Sequence, residues 1–278
     1  MRLVLESIGL SAQVAPRDDR WRVSVAEHQA DLALEELTDY RREQTEASNI
    51  VSQTNVRFEK GIFESVLAFV CTLIAGSLAG WSSTGGLAWT KSGLSEASLV
   101  LEGQYWRSVT ALTLHADLSH LLSNLFFGSL FLLLASKRFG GGVAVLLMVL
   151  GGALGNLLNA LLRDASHASL GASTAVFAAL GIIVASTLRA NFELETSRFR
   201  RWTPLIAGGV LFAMFGTGGE RTDLGAHCAG FTTGLMLGWL CSWLPFHWLH
   251  PSKVQRAAGV TTIAILFVAW ILAVVSVG

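Results

Sequence analysis

Charged residues are scarce in this chain of 278 residues. Asp, Glu, Lys and Arg make up 14% of it, against about 25% in typical soluble domains. With 52% hydrophobic residues and a mean hydropathy of +0.52, most of the chain is too apolar to lie in water. The charge is also uneven, because 19 of the 40 charged residues fall within residues 1–60. This pattern predicts a polar N-terminal segment and a membrane-embedded body.

Cysteine is rare as well, and the three cysteines lie in apolar runs without a CxxC pair. They fit small hydrophobic residues better than a disulfide or metal framework. The formal net charge of zero and a pI near 7 argue against a nucleic-acid partner. Glu6 interrupts the first apolar stretch, so we expect no cleavable signal peptide.

Metal chemistry is disfavoured too. His115, Asp117 and His120 are close in sequence, but no predicted span contains an HExxH motif, and a zinc protease needs a further ligand and a base. We therefore expect no metal and no cofactor.

Seven apolar stretches approach the roughly 20 residues that a helix needs to cross a bilayer. They cover residues 61–80, 118–136, 140–162, 170–190, 203–219, 224–246 and 257–277. If the N-terminus is cytoplasmic, the outer segments hold only Lys91, Arg107, Arg163 and Arg221. The inner segments then hold twelve cations, namely Arg41, Arg42, Arg57, Lys60, Lys137, Arg138, Arg189, Arg198, Arg200, Arg201, Lys253 and Arg256. The positive-inside rule thus predicts a cytoplasmic N-terminus and an outer C-terminus.

Residues 1–45 are predicted to form a small cytoplasmic α/β module. The stretch WRVSV (21–25) alternates as a strand does, and Leu34, Leu37 and Tyr40 follow at helical spacing. Residues 46–60 are interpreted as a linker to the membrane body.

Polar side chains stand at the starts of three predicted spans. His120 and Asn124 open the second span one turn apart and so share a face, while Ser173 opens the fourth and His227 the sixth. These even-numbered spans all run from outside to inside, so their N-terminal ends lie at one depth in the outer leaflet. Intramembrane polar residues usually mark function.

This layer contains the groups needed for nucleophilic acyl transfer. A histidine base activates a serine hydroxyl, and amide, ring and backbone N–H donors stabilise the oxyanion. No carboxylate lies at the same depth on these helices, which favours a Ser–His dyad over a triad. Small residues recur every fourth position in span six and predict close helix contact: Ala226, Gly230, Gly234 and Gly238, facing Gly171, Ala175, Ala178 and Ala179 of span four.

Together these motifs resemble the rhomboid family of intramembrane serine proteases. The resemblance covers residues 61–246 and rests on YWR at 105–107, HxxxN at 120–124, GxS at 171–173 and AHCAGFTTG at 226–234. It implies an all-α polytopic membrane protein with a six-helix core, followed in residues 247–278 by a short inner loop and a seventh helix. It also implies transmembrane protein substrates cleaved within a lipid bilayer, and a bacterial inner membrane.

The resemblance assigns roles to individual residues. Ser173 corresponds to the nucleophile and His227 to the general base, and His120, Asn124 and the Ser173 backbone N–H form the oxyanion hole. Phe177 corresponds to the aromatic residue that stacks on the catalytic imidazole. Trp106 and Arg107 belong to a structural motif of the first loop, and Gly171 and Gly230 are supporting residues of the other two motifs.

One position departs from the family pattern, which usually has glycine directly after the nucleophile. Here that residue is Thr174. Its hydroxyl can bond the carbonyl one turn back, which makes it a tolerated variation. Its β-branched bulk beside the reacting centre can instead slow or alter the enzyme. Both readings stay open at this point.

Other functions are compatible with parts of the pattern. A non-catalytic rhomboid-like protein that binds transmembrane helices shares the YWR and small-residue motifs but needs neither Ser173 nor His227. A solute transporter would be expected to carry buried charges along its spans, and these spans have almost none. For a protease, span five offers Trp202, Phe212 and Phe215 as a bulky gate for substrate entry.

Overall fold

The computed structural model describes residues 2–17, 20–53, 61–82, 88–194, 198–216 and 222–276. The chain divides into two compact units, Met1–Arg57 and Phe58–Gly278.

The first unit combines two helices with a hairpin. Helix α1 (Arg2–Ser7) precedes the antiparallel strands β1 (Gln13–Arg17) and β2 (Arg20–Ser24), and helix α2 spans Ala30–Gln53. A small apolar core is formed by Leu5, Leu10, Ala12 and Ala33.

The sequence pattern indicated β2 but missed its partner β1. The alternation of β1 is short and contains Pro16, a residue that usually weakens a strand prediction. Helix α2 also continues through the first part of the predicted linker to Gln53, where Glu46 and Ala47 are strong helix formers. The rest of that linker, 54–60, lies outside the described residues.

The second unit is built from long helices. They are α3 (Ile62–Trp81), α7 (Leu118–Phe139), α8 (Gly141–Leu162), α9 (Ser173–Glu193), α10 (Arg198–Gly216), α11 (Leu224–Cys241) and α13 (Ser252–Val275). Each overlaps one of the seven apolar stretches of the sequence.

Short elements fill the connections between these helices. They are α4 (Trp89–Gly93), β3 (Ser95–Glu96), α5 (Ala97–Leu101), α6 (Arg107–Thr110), a 3-10 turn (Ala111–Thr113), β4 (Ala168–Ser169) and α12 (Phe246–Leu249). Strands β3 and β4 pair antiparallel, with Ser95 opposite Ser169. This pairing joins the first loop to the segment that leads into α9.

Helix α9 is the centre of this unit and contacts α7, α8, α10 and α11. Its approach to α11 depends on glycine, because a Cβ atom added at Gly230 would collide with the Thr174 carbonyl oxygen. One added at Gly234 would collide with the Ala178 carbonyl oxygen, and one at Gly238 would lie 2.6 Å from Ile182 Cα. The predicted close contact between α9 and α11 is therefore confirmed, with Ala178 as one of the predicted partners. Gly171 and Ala175 were placed wrongly, because they lie against His120 and against Gly152 of α8.

Five helices of the described residues are long and apolar enough to cross a membrane, namely α3, α7, α8, α9 and α13. Helix α10 opens with a cluster of arginines, and α11 has only 18 residues, with His227 near its start. The body is thus that of an all-α polytopic integral membrane protein.

Candidate active site

A cavity of about 840 Å³ opens among the N-terminal ends of α7, α9 and α11. Five of the residues to which the family resemblance assigns a role line it, namely His120, Asn124, Ser173, Phe177 and His227. The antiparallel arrangement of successive helices explains this convergence, since α7, α9 and α11 are alternate members of the chain of long helices.

Ser173 is the first residue of α9 and follows a sharp turn at Gly171. Gly171 has a φ of 125°, a conformation that favours glycine, and its N–H donates to the Ala111 carbonyl at 2.9 Å. A Cβ atom at Gly171 would lie 2.5 Å from Cε1 of His120. The glycine therefore both makes the turn and leaves room for the His120 ring beside the serine.

His227 is buried near the start of α11, and its Nδ1 lies 2.9 Å from the Gly216 carbonyl oxygen. A carbonyl only accepts, so Nδ1 carries the hydrogen and Nε2 is left as a proton acceptor. The Phe177 ring packs on the imidazole with centroids 4.4 Å apart and planes tilted by 33°. Ser173 and His227 share the cavity without a direct hydrogen bond in this structure; such bonds often tighten only when substrate binds.

His120 and Asn124 lie one turn apart on α7, as predicted from their spacing. The Asn124 side chain is buried, and its Nδ2 donates to the His120 carbonyl at 3.0 Å. The His120 backbone N–H donates to the carboxylate of Asp117, the N-cap of α7, at 2.8 Å. The start of α7 is thereby fixed with both side chains facing the cavity.

Two carboxylates line this cavity from positions just before the helices, outside the spans to which the sequence prediction was limited. Asp117 caps α7 and Asp223 caps α11. Both precede the first helical residue, where an N-cap side chain accepts from exposed backbone N–H groups, so a search along the spans alone missed them. Among the described contacts, neither carboxylate is hydrogen bonded to the His227 ring. The Nδ1 atom of that ring faces the Gly216 carbonyl instead.

Thr174 does not line the cavity and is instead buried between helices. A Cβ atom added at Gly155 would lie 2.7 Å from the Thr174 methyl carbon, and one added at Gly230 would lie 3.0 Å from it. The methyl group thus points toward the glycine faces of α8 and α11. Among the described residues, no hydrogen bond joins the Thr174 hydroxyl to the carbonyl one turn back. The bond expected if Thr174 is a tolerated variation is therefore not found.

Arg107 lies outside the cavity and organises the first loop. Its guanidinium is buried and donates to the Gln104 side chain at 2.7 Å and to the Lys91 and Leu94 carbonyls at 3.0 Å. The preceding Trp106 accepts the backbone N–H of Thr110 through its carbonyl at 2.9 Å. The contacts of Arg107 agree with the structural role inferred from the sequence, whereas the role of the Trp106 side chain stays a prediction.

His115 supports the segment before Ser173, a role not foreseen from the sequence. Its Nε2 accepts the Ala172 N–H at 3.4 Å, so its Nδ1 carries the hydrogen and donates to Ser77 Oγ at 2.9 Å. Burial, together with the neighbouring His120, lowers the pKa of His115 to about 3. The ring is therefore neutral at ordinary pH and free to accept this bond. Across the described residues, no group of three His, Cys, Asp or Glu side chains is arranged to hold a metal ion.

The three aromatic residues proposed as a gate occupy different places on α10. Phe215 lines the cavity and contacts Phe127 of α7, with ring centroids 4.3 Å apart. Phe212 packs on Phe177 at 5.1 Å. Trp202 packs on Phe192 at the opposite end of α10 from Phe215, which separates it from the cavity. Trp202 shares α10 with the other two residues but does not contribute to the wall of the cavity.

Comparison with known proteins agrees with the fold and the motifs. Residues 102–244, slightly more than half of the chain, match the Rhomboid domain. YdcA of Bacillus subtilis (strain 168), a candidate rhomboid protease, is 30% identical over 144 residues, which are 51% of this chain and 70% of that protein.

Two eukaryotic relatives match about half of the chain. RHOMBOID-like protein 1 of Arabidopsis thaliana is 31% identical over 158 residues, 54% of this chain and 38% of the relative. Rhomboid-like protease 3 of Toxoplasma gondii is 32% identical over 134 residues, 48% of this chain and 51% of the relative. The chain thus spans about half or less of these two relatives. The matched domain, the apolar helices and the ordered motifs lead to one conclusion: the chain belongs to the rhomboid family.

Proposed function

We propose that this protein is an intramembrane serine endopeptidase that hydrolyses peptide bonds in or near the transmembrane segments of other membrane proteins. The observation that carries the proposal is the meeting of Ser173, His227, His120 and Asn124 in one cavity. The names of two relatives as proteases or candidate proteases support it. A non-catalytic helix-binding protein is the alternative, and the presence of both Ser173 and His227 disfavours it.

In the proposed mechanism His227 Nε2 takes the proton of the Ser173 hydroxyl as Oγ attacks the scissile carbonyl carbon. The carbonyl π electrons move to the oxygen, which becomes an oxyanion held by His120, Asn124 and the Ser173 N–H at the start of α9. When the C–N bond breaks, the proton on His227 passes to the leaving amine. Water then releases the acyl group by the same steps, with His227 again as the base. The Gly216 carbonyl holds the imidazole in the tautomer that this cycle requires.

The finer membrane topology belongs to the same proposal. We take α3, α7, α8, α9, α10 and α11 as the six-helix core of residues 61–246, and α13 as a seventh span within residues 247–278. The N-terminal module of residues 1–45 and the linker of 46–60 then lie in the cytoplasm and the C-terminus outside, because of the positive-inside bias. A bacterial inner membrane is the proposed location.

Substrate entry is proposed between α7 and α10. The gate pair, Phe127 and Phe215, contacts across these helices, and both rings line the cavity. A substrate helix hides its carbonyls in its own hydrogen bonds, so its scissile segment must unwind before attack. Substrates are therefore expected to carry Gly, Ala, Ser or Pro near the cleaved bond.

The proposal is tested with the purified full-length protein in detergent and a transmembrane reporter containing such residues. Wild type is expected to cleave the reporter, and Ser173→Ala is expected to leave it intact. Equal cleavage by both proteins would end the serine-protease assignment. No cleavage by wild type across varied reporters would favour the helix-binding alternative.

Thr174→Gly is expected to leave the cleavage rate within about threefold of wild type and to lower stability by about 1–2 kcal/mol. The methyl group fills a contact with Gly155 and Gly230 rather than the cavity, so its loss leaves a void away from the chemistry. Reporter kinetics and thermal unfolding measure the two effects. Thr174→Ser, which removes only the methyl group, is the matched control. A kcat tenfold above wild type in Thr174→Gly would show instead that the threonine slows the enzyme.

A further inference from the structure

Asp223 has more partners than an N-cap needs. Its Oδ1 accepts the Ala226 N–H at 3.1 Å, which is the capping bond. Its Oδ2 lies 2.7 Å from His167 Nε2 and 3.0 Å from Asn159 Nδ2, and Oδ1 also pairs with Arg163 at 3.2 Å. The carboxylate thus joins the end of α8 and the following loop to the start of α11.

These contacts lie on the two segments that lead into the proposed nucleophile and base. His167 lies six residues before Ser173 and directly precedes β4, and its carbonyl accepts the Ala97 N–H at 2.9 Å. Asp223 lies four residues before His227, and its own carbonyl accepts the His227 N–H at 3.1 Å. The contact between His167 and Asp223 therefore joins the segment before Ser173 to the segment before His227.

The partners of Asp223 stabilise its negative charge. Burial alone would raise its pKa, but the Ala226 N–H, the His167 ring and the Arg163 guanidinium hold the pKa of this carboxyl below its ordinary value. It is therefore ionised at neutral pH, and hydrogen bonds to an ionised acceptor are the stronger kind. His167 and Asp223 side chains are 27% and 18% exposed, whereas the Arg163 side chain is 41% exposed, so the histidine is the better-shielded partner.

We propose that the contact between His167 and Asp223 sets the distance between Ser173 and His227, which makes both His167 and Asp223 positioning residues for catalysis. This inference rests on the proposed function. The Asp223 carboxylate caps α11 through Oδ1 and contacts His167 through Oδ2. Because the two bonds use different oxygen atoms, a mutation can remove one and keep the other.

Asp223→Ser makes that separation, because serine and aspartate are comparably good N-caps while a serine side chain is too short to reach His167. We expect this variant to remain folded, with an unfolding midpoint lowered by only a few degrees through the lost side-chain bonds. At a temperature well below that midpoint it should lose about 10- to 100-fold in kcat on the transmembrane reporter, as misplaced catalytic groups do. KM changes little. Asp223→Asn keeps one oxygen that can cap α11 and turns its amide N–H toward His167 Nε2, which accepts it in the other neutral tautomer of the ring. The contact is then kept without the charge, and this variant is expected to retain most of the wild-type kcat.

The histidine side of the contact gives an independent measurement. His167→Phe keeps a ring of similar size without its nitrogen atoms and is expected to reproduce the kcat loss of Asp223→Ser. In the double variant the loss should be no larger than in either single one, since both remove the same contact. Arg163→Gln is the matched control, because it removes the exposed partner of the same carboxylate and should change kcat by less than about fivefold.

The outcomes separate this inference from the proposed function. Reporter cleavage by Ser173→Ala equal to wild type overturns both. An inactive Ser173→Ala beside a fully active Asp223→Ser, or losses that multiply in the double variant, overturns the positioning role alone. A loss of kcat that disappears when the variants are assayed well below their unfolding midpoints shows that the contact serves stability and not catalysis, and likewise overturns it.

Discussion

His227→Ala is expected to lower kcat on a transmembrane reporter by roughly 10⁶-fold, the loss found when the base of a Ser–His pair is removed. The serine hydroxyl then loses the imidazole assigned to take its proton, and the Asp223 carboxylate is occupied by its capping bond and by His167. The measurement is single-turnover cleavage at enzyme excess, which separates chemistry from slow substrate entry.

The oxyanion-hole residues supply the internal comparison. His120→Ala and Asn124→Ala each remove one donor and are expected to cost about 10²–10³-fold, because the remaining donors still stabilise the developing charge. A loss of kcat in His120→Ala as large as that in His227→Ala would contradict the roles assigned to the two histidines. Substantial cleavage by His227→Ala would exclude it as the base.

Gly171→Ala is expected to reduce kcat by at least about 10²-fold. The added Cβ would lie 2.5 Å from His120 Cε1 and 2.7 Å from its Nε2, so the ring must leave its place beside Ser173. A displaced donor no longer meets the oxyanion, and small displacements of such groups are costly. Reporter kinetics and the thermal unfolding midpoint measure the two consequences separately.

Gly103 provides a matched control for the backbone. It has a φ of 108°, close to the 125° of Gly171, but a Cβ added there meets nothing within 4 Å. Gly103→Ala should therefore lower stability by a similar backbone strain of about 1–2 kcal/mol and keep the wild-type activity. Equal activity of the two variants would mean that the contact with His120 is unimportant.

Much of the helical body could be predicted from the sequence, because a bilayer imposes a length and an apolar composition on each span. The small-residue stripe of α11 likewise predicted its contact with α9, since only glycine permits backbones to approach so closely. The hairpin of the N-terminal unit was half missed, because Pro16 weakens the strand signal in a segment of five residues.

The site was predictable where the residues lie on helices and not where they lie between them. Ser173, His120, Asn124 and His227 follow from helix starts and alternate directions. Asp223, His167 and His115 lie on caps and loops, whose paths depend on tertiary contacts rather than on periodicity. The direction of the Thr174 methyl group was equally hidden, because it depends on glycines from two other helices.

By itself the sequence determined that this is a membrane protein of the rhomboid family with a serine and a histidine at one depth, because hydropathy, charge bias and motif spacing are local properties of the chain. Tertiary structure alone decided what surrounds that pair. It gave His227 a backbone carbonyl as its partner, turned Thr174 away from the cavity and joined Asp223 to His167 across two segments. The physical reason is that hydrogen-bond partners far apart in the chain are selected by packing, which no local pattern encodes.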